Sequence, residues 1–419
     1  MHESYQLKNK ANICLIPQLD TKSVTVLVMY PVGSRYESEK MQGVSHYIEH
    51  LMFKGTKKRS STLILTREID RLGANYNAFT GKEYTGYYIK VDADYTRTAV
   101  DILSDMLFDS KFDAREMERE KTVIVEEIKM YKDNPMMNIE NIFEELLFDG
   151  CPMGRDIAGT EKHVLGYKRE NVLKFRDRHY EPANMQIVVA GKITDETKEC
   201  IEEYFGSRKN RKNINTAYEP AHLGSSQKEK RIRLQAKDTD QAQLMIGWPG
   251  FKYADKRNAA SVVLNTILGG SMSSRLFIKI RERMGLAYMV RSGADSFRDT
   301  GYVYVRVGLD PKNINKVIEV IKEEIKKMVK KGVTKRELAD AKTNIHGSVV
   351  LSMEDSSSLA NWYATRALFY DKIESPDDVL KKIDAVTSED IDKVVKQIFK
   401  MDQMRVAIIG AVEKDSVKY

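Results

Sequence analysis

Two histidines and a glutamate occupy a short, otherwise apolar stretch that the sequence predicts to be a helix. Residues 43–53 contain the pattern H-x-x-E-H, in which His46 and His50 are four residues apart and Glu49 lies between them. On a helix with 3.6 residues per turn, all three side chains project from one side. Two imidazoles placed in this way can bind one Zn²⁺ ion, and the glutamate can take a proton from a water molecule beside it. The alternative is a pair of ordinary core or surface histidines.

A catalytic zinc site needs a third protein ligand, and a helix further along the chain offers several carboxylates. Residues 114–131 contain few helix breakers and carry five glutamates, at positions 116, 118, 120, 126 and 127. Glu120 and Glu127 are seven residues apart and therefore lie on one helix face, whereas Glu126 points about 100° away from Glu127. Helix geometry alone leaves open whether the glutamates form a solvated face or a metal site, and which of Glu120 and Glu127 would bind the metal.

Length, charge and cysteine content restrict the classes of protein to which the chain can belong. Its 419 residues are enough for two domains of about 200 residues each. Lysine and arginine number 68 against 61 aspartate and glutamate, and the small net charge of +7 indicates neither a nucleic-acid partner nor a membrane partner. The three cysteines are widely spaced, which argues against a disulfide framework or a thiolate zinc site and favours a reducing, cytoplasmic location.

Segments in the two halves of the chain resemble one another. A strand is predicted at 85–91 and is followed by an aspartate and a helix. A similar strand predicted at 300–307 is also followed by an aspartate and a helix. A strand that ends in glycine at 185–191 is likewise echoed at 404–410. These echoes predict an α+β fold of two duplicated domains, each with a mixed, largely antiparallel sheet and helices packed on one face.

The boundary between the two domains is predicted within a polar and basic stretch. Residues 207–230 have the composition of an exposed linker, which places the domains at 1–206 and 231–419. The second copy has an apolar helix near 262–270, where the first copy has its histidines. Only the first domain is therefore predicted to bind zinc, and the second is predicted to be structural or to hold substrate.

The histidine motif and the downstream glutamates together resemble a known group of enzymes. The motif at His46, Glu49 and His50, followed by Glu120-Lys-Thr-Val-Ile-Val-Glu-Glu127, is similar to the pitrilysin family of zinc peptidases, which includes insulin-degrading enzyme and the mitochondrial processing peptidase. The resemblance covers nearly the whole chain. It implies that Glu127 is the third zinc ligand. It also implies that Glu120 does not bind zinc itself but supports and orients the residues that do.

Two further segments carry the same resemblance. Asn77, Ala78 and Phe79 match the edge strand of the family, which implies that they pair with the backbone of an extended peptide substrate. Arg281 and Tyr288 match a segment whose arginine and tyrosine contact substrate near the scissile bond, where they would steady the carbonyl or the oxyanion. Without the resemblance, these segments would be predicted to be a routine hairpin and a helix with a turn.

The resemblance implies an activity and an assembly. The chain is predicted to be a zinc metalloendopeptidase that cleaves unfolded peptides, with Glu49 as the general base. Because one chain carries both the zinc ligands and the Arg281 and Tyr288 pair, a homodimer is predicted in which two subunits enclose a chamber. The alternative is a non-catalytic, peptide-binding or scaffold subunit of the same family. The sequence leaves open whether the substrates are targeting presequences or peptide fragments.

Overall fold

The computed structural model describes residues 2–210, 217–225, 227 and 230–419. Part of the predicted linker at 207–230 therefore lies outside the described residues. The chain forms two compact units, each of which is assembled from three segments. The first unit consists of Met1–Ile128, Arg155–Glu219 and Leu351–Ser375, and the second consists of Lys129–Gly154, Pro220–Val350 and Pro376–Tyr419.

Eleven strands are present in the part of the chain that the structure describes. They are β1 Glu3–Gln6, β2 Asn12–Pro17, β3 Ser23–Tyr30, β4 Asn75–Thr80, β5 Thr85–Asp92, β6 Gln186–Gly191, β7 Ile232–Ala236, β8 Ala242–Pro249, β9 Ala287–Ser296, β10 Gly301–Leu309 and β11 Arg405–Gly410. The first six form one sheet in the order β1-β2-β6-β3-β5-β4, and the other five form a second sheet in the order β7-β11-β8-β10-β9.

The α-helices of the described residues are longer in total than the strands. They are α1 Val44–Leu51, α2 Thr62–Asp70, α3 Thr96–Asp109, α4 Ala114–Asp133, α5 Pro135–Leu147, α6 Glu161–Gly166, α7 Arg169–His179, α8 Asp195–Ile201, α9 Asn258–Asn265, α10 Ile314–Lys331, α11 Lys335–Met353, α12 Ser356–Phe369, α13 Pro376–Asp384 and α14 Ser388–Ile398. Short π-helical segments follow α8 and α9, and another spans Phe277–Arg283. No helix among the described residues is long and apolar enough to cross a membrane.

The sheet of the first unit is buried on both faces. One face packs against α1 and α3 in the larger core, and the other packs against α12. The strand β3 accordingly has a nearly continuous run of buried residues in place of an alternating pattern, and its valines suit this environment. Neighbouring strands are antiparallel except for β2 and β6, which are parallel.

The second unit repeats this plan. Its strands are antiparallel except for β7 and β11, so that the order β7-β11-β8-β10-β9 matches β2-β6-β3-β5-β4 of the first unit strand for strand. The helices α9, α10 and α14 pack on one face of this sheet, and α5 packs on the other. The predicted α+β class with duplicated, largely antiparallel sheets is confirmed, and the second face of each sheet carries one additional helix.

Two helices lie in units that their positions in the sequence do not suggest. The helix α5 falls within the predicted domain 1–206 but belongs to the second unit, and α12 falls within the predicted domain 231–419 but belongs to the first unit. Apolar residues of α5, such as Phe143, pack against strands β8 and β11. The apolar pattern of a helix shows that the helix needs a sheet face, but it does not specify which sheet supplies that face.

The helix α1 begins at a buried carboxylate. Gly43 precedes the helix with a φ of 88°, and a Cβ atom there would lie 2.3 Å from the carbonyl oxygen of Ala158. The carboxylate of Glu37 accepts hydrogen bonds from the backbone N–H groups of Gly43 at 2.6 Å and Ser45 at 2.7 Å. Two N–H groups at the start of α1 are thereby satisfied by a side chain that comes from the preceding loop.

The pKa of Glu37 makes the start of α1 sensitive to pH. Burial raises the pKa of Glu37 to about 7, although its hydrogen bonds oppose the shift. Between about pH 4.5 and pH 7, Glu37 of the folded protein therefore keeps a proton that it loses in the unfolded chain, where its pKa is 4.5. The stabilisation by this proton is complete below about pH 4.5 and is lost as the pH rises through about 7.

We expect the wild-type protein to lose stability relative to Glu37→Gln between about pH 5 and pH 8, by about 1–3 kcal/mol, because glutamine does not titrate. Urea unfolding of both proteins across this range measures the difference. The matched control is Glu39→Gln, since Glu39 lies two residues away and is exposed. Parallel pH profiles for wild type and Glu37→Gln would contradict the assignment.

Candidate metal centre

Two imidazoles and one carboxylate converge in the first unit. The Nε2 atoms of His46 and His50 are 3.2 Å apart. Carboxylate oxygens of Glu127 lie 3.7 Å from Nε2 of His46 and 3.4 Å from Nε2 of His50. Ligands at about 2.0–2.1 Å from a tetrahedral ion are about 3.4 Å from one another, so this triangle has the size that Zn²⁺ requires. The three residues fit a metal ion.

The packing of α1 against α4 produces this convergence. The buried side of α1 includes Tyr47, whose hydroxyl donates a hydrogen bond of 2.7 Å to the backbone oxygen of Met117 in α4. The buried face of α4 includes Glu120, Ile124 and Ile128. Because α4 is fixed in this way, Glu127 lies on the side of the helix that faces the histidines.

The structure assigns different positions to the two candidate carboxylates of α4. Glu127 contacts the Nε2 atoms of both histidines, whereas Glu120 lies behind His50 and its Oε1 atom is 2.8 Å from Nδ1 of His50. A hydrogen bond at Nδ1 fixes the ring orientation and leaves Nε2 to face the centre. By distance, Glu127 is the carboxylate of α4 nearer to both Nε2 atoms, and Glu120 is the one that lies behind His50.

A lysine completes the support of His50. The Nζ atom of Lys54 is 2.5 Å from Oε2 of Glu120, so both oxygens of this buried carboxylate have partners. Burial would raise the pKa of Glu120, but His50 and Lys54 lower it, which keeps the group ionised. Lys54 is four residues after His50, just beyond the end of α1. Its side chain therefore lies on the same side of the chain as that of His50. This spacing is the signal from which sequence reasoning could have found it.

The electrostatic environment differs between the two histidines. Burial and the adjacent His50 lower the pKa of His46. Burial also acts to lower the pKa of His50, but its hydrogen bonds to Glu120 and Glu127 prevail and raise the pKa to about 9. The bond to His50 is in turn the main cause that lowers the pKa of Glu127. A metal ion binds the neutral imidazole at Nε2, so metal binding competes with protonation of His50.

Glu49 projects beside the histidines and contacts an edge strand. Its Oε2 atom accepts a hydrogen bond of 2.5 Å from the hydroxyl of Thr80, the last residue of β4. Burial raises the pKa of Glu49, while Thr80 acts in the opposite direction. Sequence reasoning did not identify Thr80, although it lies two residues after Ala78 and hence on the same face of the strand.

The strand β4 is the free edge of the first sheet, as the predicted substrate strand requires. The N–H of Gly81 donates to the oxygen of Tyr84 across the turn, which makes these residues a hydrogen-bonded pair. Hydrogen-bonded and non-hydrogen-bonded residue pairs alternate along an antiparallel ladder. The backbone N–H and C=O groups of Tyr76, Ala78 and Thr80 therefore point away from β5.

The three predicted substrate residues of β4 occupy different environments. Asn77 is exposed, and its side-chain oxygen accepts the outward N–H of Ala78 at 2.9 Å. Phe79 lies on the opposite sheet face, where its ring covers Gly86. Of these three residues, Ala78 is therefore the one that offers its backbone at the edge.

Arg281 and Tyr288 come together in the second unit. The helical segment that carries Arg281 ends at Arg283, Gly285 has a φ of 60°, and Tyr288 lies at the start of β9. The guanidinium carbon of Arg281 is 4.9 Å from the centroid of the Tyr288 ring. The tyrosine side chain is 75% exposed, so this pair presents a cation and a phenol at the surface of the unit.

The support of His50 by Lys54 leads to a test. We expect Lys54→Met to raise the zinc dissociation constant about tenfold, because Glu120 would lose the cation that fixes its second oxygen. Competition with a chromophoric chelator measures this constant. Lys57→Met is the matched control, since Lys57 is exposed and its ion pair with Asp109 does not involve the site. Equal zinc affinities for the two variants would show that Lys54 does not support the centre.

Comparison with known proteins identifies relatives along the whole chain. Residues 13–161 match the family described as insulinase (peptidase family M16), and residues 167–345 match the peptidase M16 inactive domain. The chain is 34% identical to the uncharacterised zinc protease YmxG of Bacillus subtilis over 96% of its own length and 97% of that protein. It is also 34% identical to an uncharacterised zinc protease of Streptomyces coelicolor, with 90% of this chain and 83% of that protein covered.

Solved structures share the fold. A protease from Helicobacter pylori superposes with a TM-score of 0.91 at 22% identity, covering 98% of this chain and 99% of its own. A peptidase M16 inactive domain from Pseudomonas fluorescens superposes with a TM-score of 0.89 at 18% identity over the full length of both chains. The family predicted from the histidine motif and the downstream glutamates is thus confirmed, and the chain belongs to the insulinase family of peptidases, M16.

Proposed function

We propose that this chain is a zinc-dependent endopeptidase that cleaves peptides bound in an extended conformation. The observation that carries the proposal is the convergence of His46, His50 and Glu127 within metal-binding distance, with the carboxylate of Glu49 beside them. Relatives along nearly the whole chain bear the name zinc protease, which supports the same choice of metal. The alternative of a non-catalytic scaffold subunit gains no support from a chain in which all four residues are present.

The metal ion and the side chains have different roles in the proposed chemistry. His46, His50 and Glu127 would hold a Zn²⁺ ion, which would supply a Lewis acid that makes water more acidic. Glu49 accepts the proton from water and later delivers it to the leaving amine. Its Oε2 atom is occupied by Thr80, whereas Oε1 accepts no hydrogen bond among the described residues and is the oxygen proposed to carry the proton.

The proposed substrate is a peptide that adds a strand to the free edge of β4. The outward N–H and C=O groups of Tyr76, Ala78 and Thr80 can pair with a peptide backbone without regard to its sequence. The peptide must displace the side chain of Asn77 from the N–H of Ala78. Folded segments cannot enter this arrangement, because their backbone groups are already paired, and the substrates are therefore unfolded peptides.

The resemblance to the pitrilysin group further suggests that Arg281 and Tyr288 contact the substrate. We propose that they bind the carbonyl or the oxyanion at the scissile bond. We also propose that the active form is a homodimer in which two subunits enclose the peptide. The three cysteines are free in the structure, which is compatible with the proposed cytoplasmic location.

The proposed role of Glu49 leads to a first test. We expect Glu49→Gln to retain zinc but to lose about 100- to 10,000-fold in kcat, because glutamine cannot accept the proton. Cleavage of an unstructured fluorogenic peptide measures kcat, and metal analysis measures zinc content. The control variant is Glu126→Gln, which removes an exposed carboxylate next to Glu127 and leaves the site intact. Wild-type cleavage by Glu49→Gln would refute the proposal.

The proposed homodimer leads to a second test. We expect that a mixture of Glu49→Gln and Arg281→Ala, each inactive alone, regains up to about a quarter of the wild-type activity if subunits exchange and each site combines residues of both. Sedimentation under the assay conditions verifies the dimer. An active monomer, or no recovery in mixed dimers whose exchange is demonstrated, would contradict a shared site.

A further inference from the structure

The hydroxyl of Thr80 joins the edge strand to the proposed catalytic base. Its hydrogen bond to Oε2 of Glu49 measures 2.5 Å, within the range of a hydroxyl that donates to an ionised carboxylate. Thr80 ends β4, and Glu49 lies in the last turn of α1, so this bond connects the two elements. No other hydroxyl or amide donates to this carboxylate among the described residues.

The strand directs both the side chain and the backbone of Thr80. Tyr76, Ala78 and Thr80 lie on the face of β4 that packs toward α1, because side chains alternate along a strand. The same residues direct their backbone groups to the free edge. Thr80 is therefore the residue of β4 whose backbone can pair with a bound peptide while its side chain contacts Glu49.

The turn that follows Thr80 is fixed in place. The carbonyl oxygens of Gly81 and Lys82 accept hydrogen bonds of 3.3 Å and 2.9 Å from the N–H groups of Ser34 and Arg35. The guanidinium of Arg35 also contacts the carboxylate of Glu83 at 2.5 Å, and both side chains are buried. The loop that leads into α1 thus holds the end of β4, which leaves the hydroxyl of Thr80 little freedom relative to Glu49.

A glutamate side chain without such a partner has three rotatable bonds and several rotamers. A carboxylate that must collect a proton from one atom and deliver it to another loses rate when its orientation varies, because proton transfer requires hydrogen-bond distance. The bond from Thr80 restrains one oxygen of the carboxylate and thereby limits the orientations that the other oxygen can adopt. We expect the loss of this bond to leave the metal ligands unchanged, since the hydroxyl of Thr80 donates to Glu49 and to none of them among the described residues.

We propose that Thr80 is a positioning residue that orients the carboxylate of Glu49 for proton transfer and couples this orientation to the pairing of a peptide with β4. The inference rests on the proposed function, in which Glu49 is the general base. A peptide that pairs with the backbone of Thr80 restrains the same residue that holds the base. Peptides that occupy the end of β4 are then cleaved with a higher kcat than peptides too short to reach it.

The test compares Thr80→Val and Thr80→Ser in the full-length, zinc-loaded protein. We expect Thr80→Val to lower kcat about 30-fold, with KM and zinc affinity each within about twofold of wild type, because only the orientation of the base is lost. Thr80→Ser restores a hydroxyl and should return kcat to within about threefold of wild type. The matched control is Thr85→Val, which removes the hydroxyl of the residue paired with Thr80.

The control separates positioning from stability. Thr85 donates its hydroxyl to the oxygen of Val32 and does not contact Glu49, so its loss should lower the unfolding temperature with little effect on kcat. The inference is overturned if Thr80→Val has wild-type kcat, if Thr80→Ser is as slow as Thr80→Val, or if zinc affinity falls together with kcat. Wild-type cleavage by Glu49→Gln would overturn the proposed function itself. Loss of activity in Glu49→Gln with an unaffected Thr80→Val would overturn only the role of Thr80.

Discussion

The separation of 3.2 Å between the Nε2 atoms of His46 and His50 is the constraint on which the candidate metal centre depends. Two imidazoles at this distance cannot both be cations, so the surrounding groups must differ for each ring. One ring is buried and is kept neutral, while the other is flanked by Glu120 and Glu127. Both rings belong to α1. This helix is held by Glu37 at its start and by α4 through Tyr47.

The second unit shows that this architecture does not require the metal. It builds the same order of strands, and α9 follows β8 as α1 follows β3. The buried residues of α9 include Ala260, Val263 and Leu264, and none of its residues is a histidine. The order of strands in the first unit therefore does not depend on the histidines of α1.

Helical spacing predicts which side chains of the candidate site share a helix face, whereas the choice of Glu127 as ligand came from the family resemblance. The pairs His46 with His50 and Glu120 with Glu127 follow directly from 3.6 residues per turn. The contact between Thr80 and Glu49 could not be predicted, because it depends on how far a strand end lies from a helix that precedes it by thirty residues. The spacing of Lys54 from His50 was a usable signal, but its partner Glu120 is distant in sequence and could not be identified from that spacing. Local periodicity predicts faces, whereas distances between elements are set by packing.

The placement of α12 has a consequence for the order in which the protein can form during synthesis. The face of the first sheet that α12 covers consists of Cys14, Ile16, Leu27, Met29, Val188 and Ala190. All of these residues leave the ribosome before α12 at Ser356–Phe369 has been translated. The nascent chain therefore carries an uncovered apolar sheet face for more than one hundred and fifty residues of elongation. Exposed apolar surface of this kind makes a nascent chain prone to aggregation during that interval.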